Sequence, residues 1–261
     1  MTKESVLHLC INLPWATERR AAVELQARHL GVDIVFIAAV AGRDLPPDVP
    51  EYDKHKRIRT CAYDLTSNEI ACTLSHKKAL RAFLDSAAEY AVIMEDDALL
   101  SEHYKEGLHE IIDHLRGWEM VKLYTDDGGK LYSIGDEWSE GSYVQAVFPR
   151  KIMWVSVAWL YTRSGAQKLL SELNTFCLAT DAQIGSIVLQ RGIPVIGVSP
   201  SLIRTSDPEN VNSTISTADA PRTPHARRTF LQYLRYRIGV IRTACAKKRM
   251  IRLMKQRFQR V

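Results

Sequence analysis

Three consecutive acids, Glu95, Asp96 and Asp97, directly follow an apolar run at residues 90–94. Adjacent carboxylates make one another harder to ionise, so the cluster needs solvent, a basic partner or a metal ion. If the segment is extended, Glu95 and Asp97 lie on one side and Asp96 on the other. Two carboxylates on one side, with no nearby Cys or His pair, favour Mg²⁺ or Mn²⁺ over zinc. A solvated loop or an acid-rich helix start is the alternative interpretation.

The acids follow one strand of an alternating series of strands and helices. Strands are predicted at residues 6–13, 34–40, 90–94, 121–125, 144–161 and 195–198. Helices are predicted at residues 17–30, 66–84, 102–115, 164–173 and 181–190. This alternation predicts an α/β fold with a mostly parallel central sheet flanked by helices, which binds ligands at the carboxyl edge of its strands.

Local signals refine these elements. Thr66 and Glu69 have the spacing of a capping box. The 34–40 run is β-branched and free of charge, which predicts a strand buried on both faces. Residues 41–63 and 200–224 are rich in Pro and polar side chains, so we expect loops there.

Composition indicates one ordinary globular core, because 46% of the 261 residues are hydrophobic and 25% are charged. The five cysteines are an odd number without a CxxC pair, which predicts reduced, mostly buried thiols rather than disulfides or a zinc knuckle. The apolar run from Val6 to Leu13 is too short and too early for a signal peptide or membrane span. We therefore expect a cytoplasmic protein.

Charge is distributed unevenly along the chain. Residues 222–261 carry 13 Lys or Arg and no Asp or Glu, whereas the rest is net acidic. Apolar residues recur there at helical spacing, at Phe230, Leu234, Ile238, Ile241 and Cys245. This pattern predicts a basic amphipathic helix that binds an anionic membrane surface. A helix packed on the body is the alternative, and the acidic body argues against a nucleic-acid partner.

Several segments together resemble glycosyltransferase family 25, a lipooligosaccharide galactosyltransferase family that also includes collagen galactosyltransferase domains. Two of them are residues 65–80, LTSNEIACTLSHKKAL, and residues 92–100, VIMEDDALL. The other matching segments are Ile11–Leu13 with Arg19 and Arg20, the aromatic strand and Ser-Gly-Ala helix at 154–170, Asp181, and the Pro-Ser-Leu-Ile segment at 200–203. The residues after 222 lie outside this shared core.

The resemblance implies a GT-A-like catalytic domain at residues 1–221, followed by the basic membrane-associating tail at 222–261. It implies inverting transfer of a hexose, most commonly galactose from UDP-galactose, to a lipooligosaccharide or other glycan acceptor. Glu95 and Asp97 would then bind Mn²⁺ or Mg²⁺, with the acidic triplet in the place of a DxD motif. The expected location is the cytoplasm, peripherally at the inner face of the membrane, next to a lipid-linked acceptor. An inactive scaffold and a nucleic-acid-binding protein are the rival interpretations.

Asp181 is the candidate general base, because it begins a predicted helix after an apolar stretch. A helix start lowers the pKa of a carboxylate, and a simple N-cap is the alternative role. Trp154 and Trp159 are candidates for contacts with a sugar ring or, alternatively, for the core.

The candidate residues for the UDP-sugar lie at strand ends, at the start of the helix at 17–30 or on the helix at 66–84: Asn12, Leu13, Arg19, Arg20, Val40, Gly42, Glu69, Ser75, His76 and Asp96. For the two arginines the alternative is simple solvation, and for Glu69 it is the capping box alone. Ala41 departs from the family, in which an acid commonly precedes the glycine at this point.

Overall fold

The computed structural model describes residues 6–61, 63–125, 130–134, 141–149, 152, 155–206 and 230–260. The strands are β1 (Val6–Asn12), β2 (Ile34–Ala38), β3 (Tyr90–Glu95), β4 (Ala98–Leu100), β5 (Leu115–Arg116), β6 (Met120–Lys122), β7 (Leu131–Ser133), β8 (Gln145–Pro149), β9 (Ala158–Thr162), β10 (Val195–Ser199), β11 (Ile203–Thr205) and β12 (Gln259–Arg260). The α-helices are α1 (Thr17–Leu30), α2 (Lys54–Cys61), α3 (Ser67–Asp85), α4 (Tyr104–His114), α5 (Arg163–Glu172), α6 (Thr180–Arg191) and α7 (Phe230–Arg257), and Gly42–Asp44 forms a 3-10 helix.

An eight-stranded sheet forms the centre of the fold, in the order β2-β1-β3-β9-β6-β10-β8-β7. β1 pairs in parallel with β2 and β3, and β10 pairs in parallel with β6. β9 lies antiparallel between β3 and β6, and β8 lies antiparallel between β10 and β7. The α/β class is confirmed, with helices flanking the sheet.

The sheet is therefore mixed, and the expectation of a mostly parallel sheet is corrected. A parallel neighbour requires a crossover connection, whereas an antiparallel strand can enter without one, and no helix is predicted between residues 144 and 161. β1, β2, β3, β6 and β10 nevertheless point the same way, as their pairings require. Their carboxyl ends consequently share one edge of the sheet.

The expectation that β2 is buried on both faces is wrong, because Val35 is 50% exposed. β2 also lies at one edge of the sheet and, among the described strands, pairs with β1. An apolar composition shows that a strand packs against something, but it does not show that both of its faces are covered.

Both predicted loops contain regular structure. In the first, α2 is a mostly basic helix whose Lys56 N–H donates to the Asp53 carboxylate over 2.8 Å. Its buried Arg57 donates to the carbonyls of Tyr63 and Cys177. Because tertiary contacts stabilise this helix, it does not need the helical spacing of apolar residues from which a helix is predicted. In the second, β11 pairs antiparallel with β4.

α3 is the helix that packs closest to the acidic cluster. The predicted capping box is confirmed: Glu69 N–H donates to Thr66 Oγ1 over 3.2 Å, and Thr66 N–H donates to Glu69 Oε2 over 2.8 Å. The helix buries Leu80 and Phe83 in the main core beneath the sheet. Burial of each such side chain contributes about 1.5 to 3 kcal/mol, so α3 is held firmly at both its start and its apolar face.

The two halves of α7 have different surroundings. In its last turns, Met250 is 2% exposed and Met254 is fully buried in the main core, and the following β12 pairs with β5. In its first turns, Leu234, Ile238 and Ile241 are 45%, 41% and 59% exposed. The predicted domain boundary at residue 222 lies outside the described residues, and the division of the chain there stays a prediction. Among the helices described, none is long and apolar enough to cross a membrane.

Arg163, the first residue of α5, joins that helix to the end of α3. Its guanidinium donates to the carbonyls of Leu84 (2.6 Å), Ser86 (2.9 Å) and Ala88 (3.0 Å). These carbonyls lie at or just beyond the C-terminus of α3, where no helical N–H is available to them. The Arg163 guanidinium therefore provides hydrogen bonds to the backbone carbonyls at the C-terminal end of α3.

We expect Arg163→Ala to lower the free energy of unfolding by about 2 to 4 kcal/mol, because several charged hydrogen bonds are lost at once. Arg163→Lys should lower the free energy of unfolding by less than Arg163→Ala does, since an ammonium keeps the charge but lacks the planar set of donors of a guanidinium. Urea denaturation followed by circular dichroism measures the loss. The control is Arg191→Ala, which removes a surface pair with Glu172 and should change stability by less than about 1 kcal/mol. Equal losses in both variants would contradict this assignment.

Candidate functional site

The carboxyl edge of the sheet brings the end of β1 against the acidic triplet. Asn12, the last residue of β1, donates through Nδ2 to Asp96 Oδ2 over 2.8 Å and to the carbonyl of Ala16 over 3.2 Å. Arg19, in the first turns of α1, donates to Asp96 Oδ1 over 3.1 Å. Asp96 is 11% exposed, and both of its oxygens thus accept from the β1–α1 segment. Three of the predicted donor-site residues therefore form one network.

Asp97 is held differently. Thr205, at the end of β11, donates from Oγ1 to Asp97 Oδ2 over 2.6 Å. The other oxygen, Oδ1, is buried and has no hydrogen-bond partner among the described residues. Burial raises the pKa of Asp97 to about 6, and the charge of Glu95 adds to this effect. In the part of the chain that the structure describes, an ionised Asp97 therefore has no compensating cation, which is the condition that a bound metal ion relieves.

Glu95 ends β3 and faces α3. Its backbone N–H donates to the carbonyl of Val157 over 2.8 Å, and its Oε1 lies 3.1 Å from His76 Nε2. Cys72, one helical turn before His76, belongs to the same group: one ligand atom from each of the three residues lies within 4.8 Å of the others. The sequence argument that no Cys or His pair is near the acids is corrected, because α3 packs this pair against them.

The alternation of side chains expected across the triplet is also corrected. β3 ends at Glu95, and Asp96 and Asp97 form a turn before β4. Strand alternation does not apply in a turn. As a result the three carboxylates face three different partners: Glu95 faces α3, Asp96 faces the β1–α1 segment and Asp97 faces β11.

Asp181 lies in the first turn of α6, after the N-cap position, which is Ala179. Its Oδ1 accepts from Ala182 N–H over 2.7 Å and its Oδ2 from Val155 N–H over 3.1 Å. The simple N-cap role is therefore excluded. Burial raises the pKa of Asp181 and outweighs these two hydrogen bonds, which is the opposite of the direction expected from the helix start. A raised pKa makes the carboxylate a stronger base.

Val155 adds a strained contact to this carboxylate. Its φ is 52°, in the left-handed region that β-branched residues rarely adopt. The conformation turns its N–H toward Asp181. Nothing in the sequence indicates this contact. Trp154 lies outside the described residues, and Trp159 is fully buried in the core.

The segment after β2 is fixed to α3 by three of the predicted donor-site residues. Ser75 Oγ accepts from Val40 N–H over 2.9 Å and donates to the carbonyl of Ala71 over 2.8 Å. At Gly42, an added Cβ would lie 2.1 Å from Oδ1 of Asn68 and 2.7 Å from its backbone nitrogen. Glycine is therefore needed for this close approach to the first turn of α3, which Glu69 caps.

Two predicted residues lie apart from the acidic triplet. Arg20 donates to Glu24 over 2.8 Å, and its guanidinium stacks on the ring of Phe36 at 4.3 Å. Leu13 contributes its backbone carbonyl, which accepts from Ala16 N–H in the turn before α1. The sequence analysis missed Cys72 and Thr205. The Cys-x-x-x-His spacing on a helix was an available signal for Cys72. The contact of Thr205 with Asp97 results from the pairing of β4 with β11, which has no local signal in the sequence.

The edge also carries one stacked pair that the sequence analysis did not predict. The guanidinium of Arg43 lies 3.8 Å from the centre of the Trp15 ring, which is 48% exposed. Trp15 follows β1 and Arg43 lies in the 3-10 helix after β2. The pair therefore flanks the strand ends that carry Asn12 and Gly42.

The chain is similar in sequence to known proteins. Residues 7–184 match the sequence model of Glycosyltransferase family 25 (LPS biosynthesis protein). A glycosyltransferase 25 family member of Aedes aegypti is 30% identical over 186 residues, and one of Anopheles gambiae is 27% identical over 180 residues. Each alignment covers 65% of this chain but 29% of the relative, so the chain spans well under half of their length.

The matched region contains Asn12, the segment after β2, α3, the acidic triplet and Asp181. These are the residues that the fold brings to the carboxyl edge of the sheet or packs against it. The chain belongs to glycosyltransferase family 25.

Proposed function

We propose that this glycosyltransferase transfers a hexose, galactose in the first instance, from a UDP-sugar to a glycan acceptor with inversion at the anomeric carbon. The observation that carries the proposal is the acidic triplet at the carboxyl edge of the sheet, with Asp97 Oδ1 buried and unpartnered among the described residues. An anionic site of this kind binds a diphosphate only together with a cation. The galactose and UDP assignments rest on the family resemblance.

Asp97 and Glu95 are the proposed ligands for Mn²⁺ or Mg²⁺. Both residues are carboxylates, which a hard cation prefers, and the charge of Asp97 has no compensating cation among the described residues. Because Glu95 faces α3 and Asp97 faces β11, the Glu95 side chain would have to turn away from His76 to share a cation with Asp97. A bound cation would neutralise the diphosphate leaving group. Asp96 is already paired with Asn12 and Arg19, so its proposed role is to fix the β1–α1 segment for contact with the nucleotide.

Asp181 is the proposed general base. The acceptor hydroxyl oxygen would attack the anomeric carbon, the bond from that carbon to the diphosphate oxygen would break, and the hydroxyl proton would pass to the Asp181 carboxylate. Hydrogen bonds from Val155 and Ala182 fix the orientation of this carboxylate, while burial raises its pKa. Fixed orientation and increased basicity both favour proton transfer.

The second part of the proposal is that the acceptor is lipid-linked and that the enzyme binds the anionic inner face of the membrane peripherally. On α7, Leu234, Ile238 and Ile241 lie on one helical face and are exposed. Exposed Arg237 and Arg242 lie among them. Apolar side chains flanked by cations are the composition that binds anionic lipid.

α2 contributes further exposed positive charge beside that of α7. It packs against α7, and its exposed residues include Lys56, Arg59 and the apolar Ile58, which is 42% exposed. α6, which carries Asp181, also packs against α7. Binding through α7 and α2 would therefore hold the proposed base close to the surface that presents the acceptor.

Asp97→Asn should reduce transfer to background while leaving the fold intact, because the exchange removes a charge needed by the cation but preserves shape. Release of UDP from UDP-galactose in Mn²⁺ measures the effect, and exhaustive EDTA treatment of the native enzyme should have the same result. Asp113→Asn, an exposed position on α4, is the control and should keep full activity. Turnover by Asp97→Asn near the native rate would remove the metal role.

Asp181→Asn should lower kcat by about 10² to 10⁴-fold and leave UDP-sugar affinity within a few fold, since a base contributes to the chemical step. Single-turnover kinetics and calorimetric titration with UDP separate the two quantities. The surface variant Glu172→Gln is the control. If the defect instead appears in donor affinity, Asp181 contacts the nucleotide and another group is the base.

Combined replacement of Leu234, Ile238 and Ile241 by Gln should abolish flotation with vesicles that contain anionic lipid. Arg237→Gln and Arg242→Gln should each weaken binding about fivefold at low salt, because each cation contributes about 1 kcal/mol near the surface. High salt should have a similar effect. Point variants are preferable to removal of residues 222–261, which would also remove Met250 and Met254 from the core.

Leu25→Gln is the matched control for this experiment, since Leu25 is 66% exposed on α1, away from the basic face. It should float as the native protein does. Flotation of the triple variant equal to that of the control would show that α7 does not bind lipid.

A further inference from the structure

Cys72, His76 and Glu95 form a second group of potential metal ligands beside the acidic triplet. One ligand atom from each residue lies within 4.8 Å of the ligand atoms of the other two. Among the described residues, this is the one group of three or more His, Cys, Asp or Glu side chains with such short separations. Cys72 and Glu95 are partly buried and His76 is 2% exposed. Cys72 has no part in the proposed transfer reaction, so the group calls for a separate explanation.

The three donors are held in place by the fold. Cys72 and His76 are four residues apart on α3, which puts their side chains on the same face one turn apart. α3 is capped at Thr66 and held at its other end by Arg163. Glu95 is anchored through its backbone to Val157, and its Oε1 already lies 3.1 Å from His76 Nε2. Little reorganisation is therefore needed to bring the donors together.

The donor types select the ion. Sulfur, imidazole and carboxylate suit zinc and cobalt, whereas Mg²⁺ and Mn²⁺ prefer oxygen alone. Tetrahedral zinc places its ligand atoms about 3.2 to 3.8 Å apart, given bond lengths of about 2.0 to 2.3 Å. The observed spacing requires side-chain shifts of about 1 Å. Three protein ligands leave one position open, which is typical of zinc sites that are not purely structural.

We propose that Cys72, His76 and Glu95 bind a thiophilic divalent cation such as Zn²⁺, and that this binding withdraws Glu95 from the hard-cation site. The second half of the statement rests on the proposed function, in which Glu95 is a ligand for Mn²⁺ or Mg²⁺. The first half does not. Glu95 thus belongs to two alternative sets of ligands: an all-oxygen set with Asp97, and a set with the Cys72 sulfur and the His76 nitrogen.

Charge and proton balance support occupancy by a dication. Binding replaces the Cys72 S–H bond with a sulfur–metal bond, and the proton passes to solvent. Thiolate, carboxylate and a dication then sum to zero charge in a partly buried pocket. Burial raises the pKa of the Cys72 thiol and the charge of Glu95 adds to this effect, whereas a hydrogen bond with the Thr180 hydroxyl acts in the opposite direction, so the thiolate requires the bound cation. Thr180 is itself hydrogen-bonded to Thr73 over 2.9 Å, which fixes its position.

Zinc bound at this site has a direct consequence for the proposed reaction. Glu95 already faces α3, and zinc would hold its carboxylate there, so the hard cation would retain Asp97 without its partner. Zinc is therefore expected to inhibit the Mn²⁺-dependent reaction, and added Mn²⁺ should relieve the inhibition only partly because the sulfur and imidazole ligands do not bind it well.

The test uses Co²⁺ as a spectroscopic probe of the whole 261-residue chain without added Mn²⁺. Addition of Co²⁺ should produce a sulfur-to-cobalt charge-transfer band in the near ultraviolet, and Zn²⁺ should abolish it. Cys72→Ser should lose the band, while the Cys177→Ser and Cys245→Ser controls keep it. Glu95→Gln should weaken Co²⁺ binding by at least tenfold, which provides a second variant if Cys72→Ser is unstable. Circular dichroism confirms the fold of each.

Persistence of the band in Cys72→Ser, or its absence from the native protein, would overturn the site. These outcomes do not depend on transfer activity, so they are distinguishable from a failure of the proposed function. In a second measurement, zinc inhibition is determined for each variant relative to its own zinc-free rate in Mn²⁺. Sensitivity to zinc should fall at least tenfold in Cys72→Ser. Unchanged sensitivity together with loss of the band would show that zinc binds but does not withdraw Glu95.

Discussion

The cost of placing three adjacent carboxylates at the end of a buried strand determines how this part of the molecule is built. Each charge requires its own compensation, because carboxylates a few ångströms apart oppose one another's ionisation. Asp96 obtains it from Asn12 and Arg19, and Glu95 lies against His76. Asp97 has a hydroxyl from Thr205 and an oxygen without a partner among the described residues. Segments from β1, α3 and β11 therefore all contact the acidic triplet at the carboxyl edge of the sheet.

α3 connects most of the site. Its first turn meets Gly42, and its second and third turns carry Cys72, Ser75 and His76. The segment after β2 and the end of β3 are therefore positioned by the same rigid element. A helix that is capped at one end and clamped at the other by Arg163 transmits little motion between these parts. Its stability is consequently a condition for the geometry at the edge.

The sequence predicted those features that depend on local chemistry. The capping box of α3, the strand before the acids and the helix at Asp181 all have signals within a few residues, and the structure has each of them. The five thiols are free, as their number and spacing predicted, although two of them, rather than most, are buried. Family-specific segments supplied the remaining site residues, because their order along the chain is more informative than any one motif.

Other features depend on which elements become neighbours, and these could not be predicted from local patterns. β2 has the composition of a central strand but lies at the edge, and β9 enters the sheet against the direction of its neighbours. α2 has no apolar period because Asp53 and the buried Arg57 hold it in place. The pairing of Glu95 with α3 results from packing in the same way. In each case a long-range contact outweighed the local preference.

The insertion of β9 between β3 and β6 also affects how the chain must assemble during synthesis. The partner of β3 on one side, β1, precedes it in the chain, whereas its partner on the other side, at residues 158–162, is synthesised more than 60 residues later. Until then the row from Ala91 to Met94, which is fully buried in the finished fold, presents an open apolar edge. Acids at the end of such a strand discourage pairing with another chain. An acidic triplet at the end of this strand therefore has the charge that natural sequences place beside aggregation-prone strands.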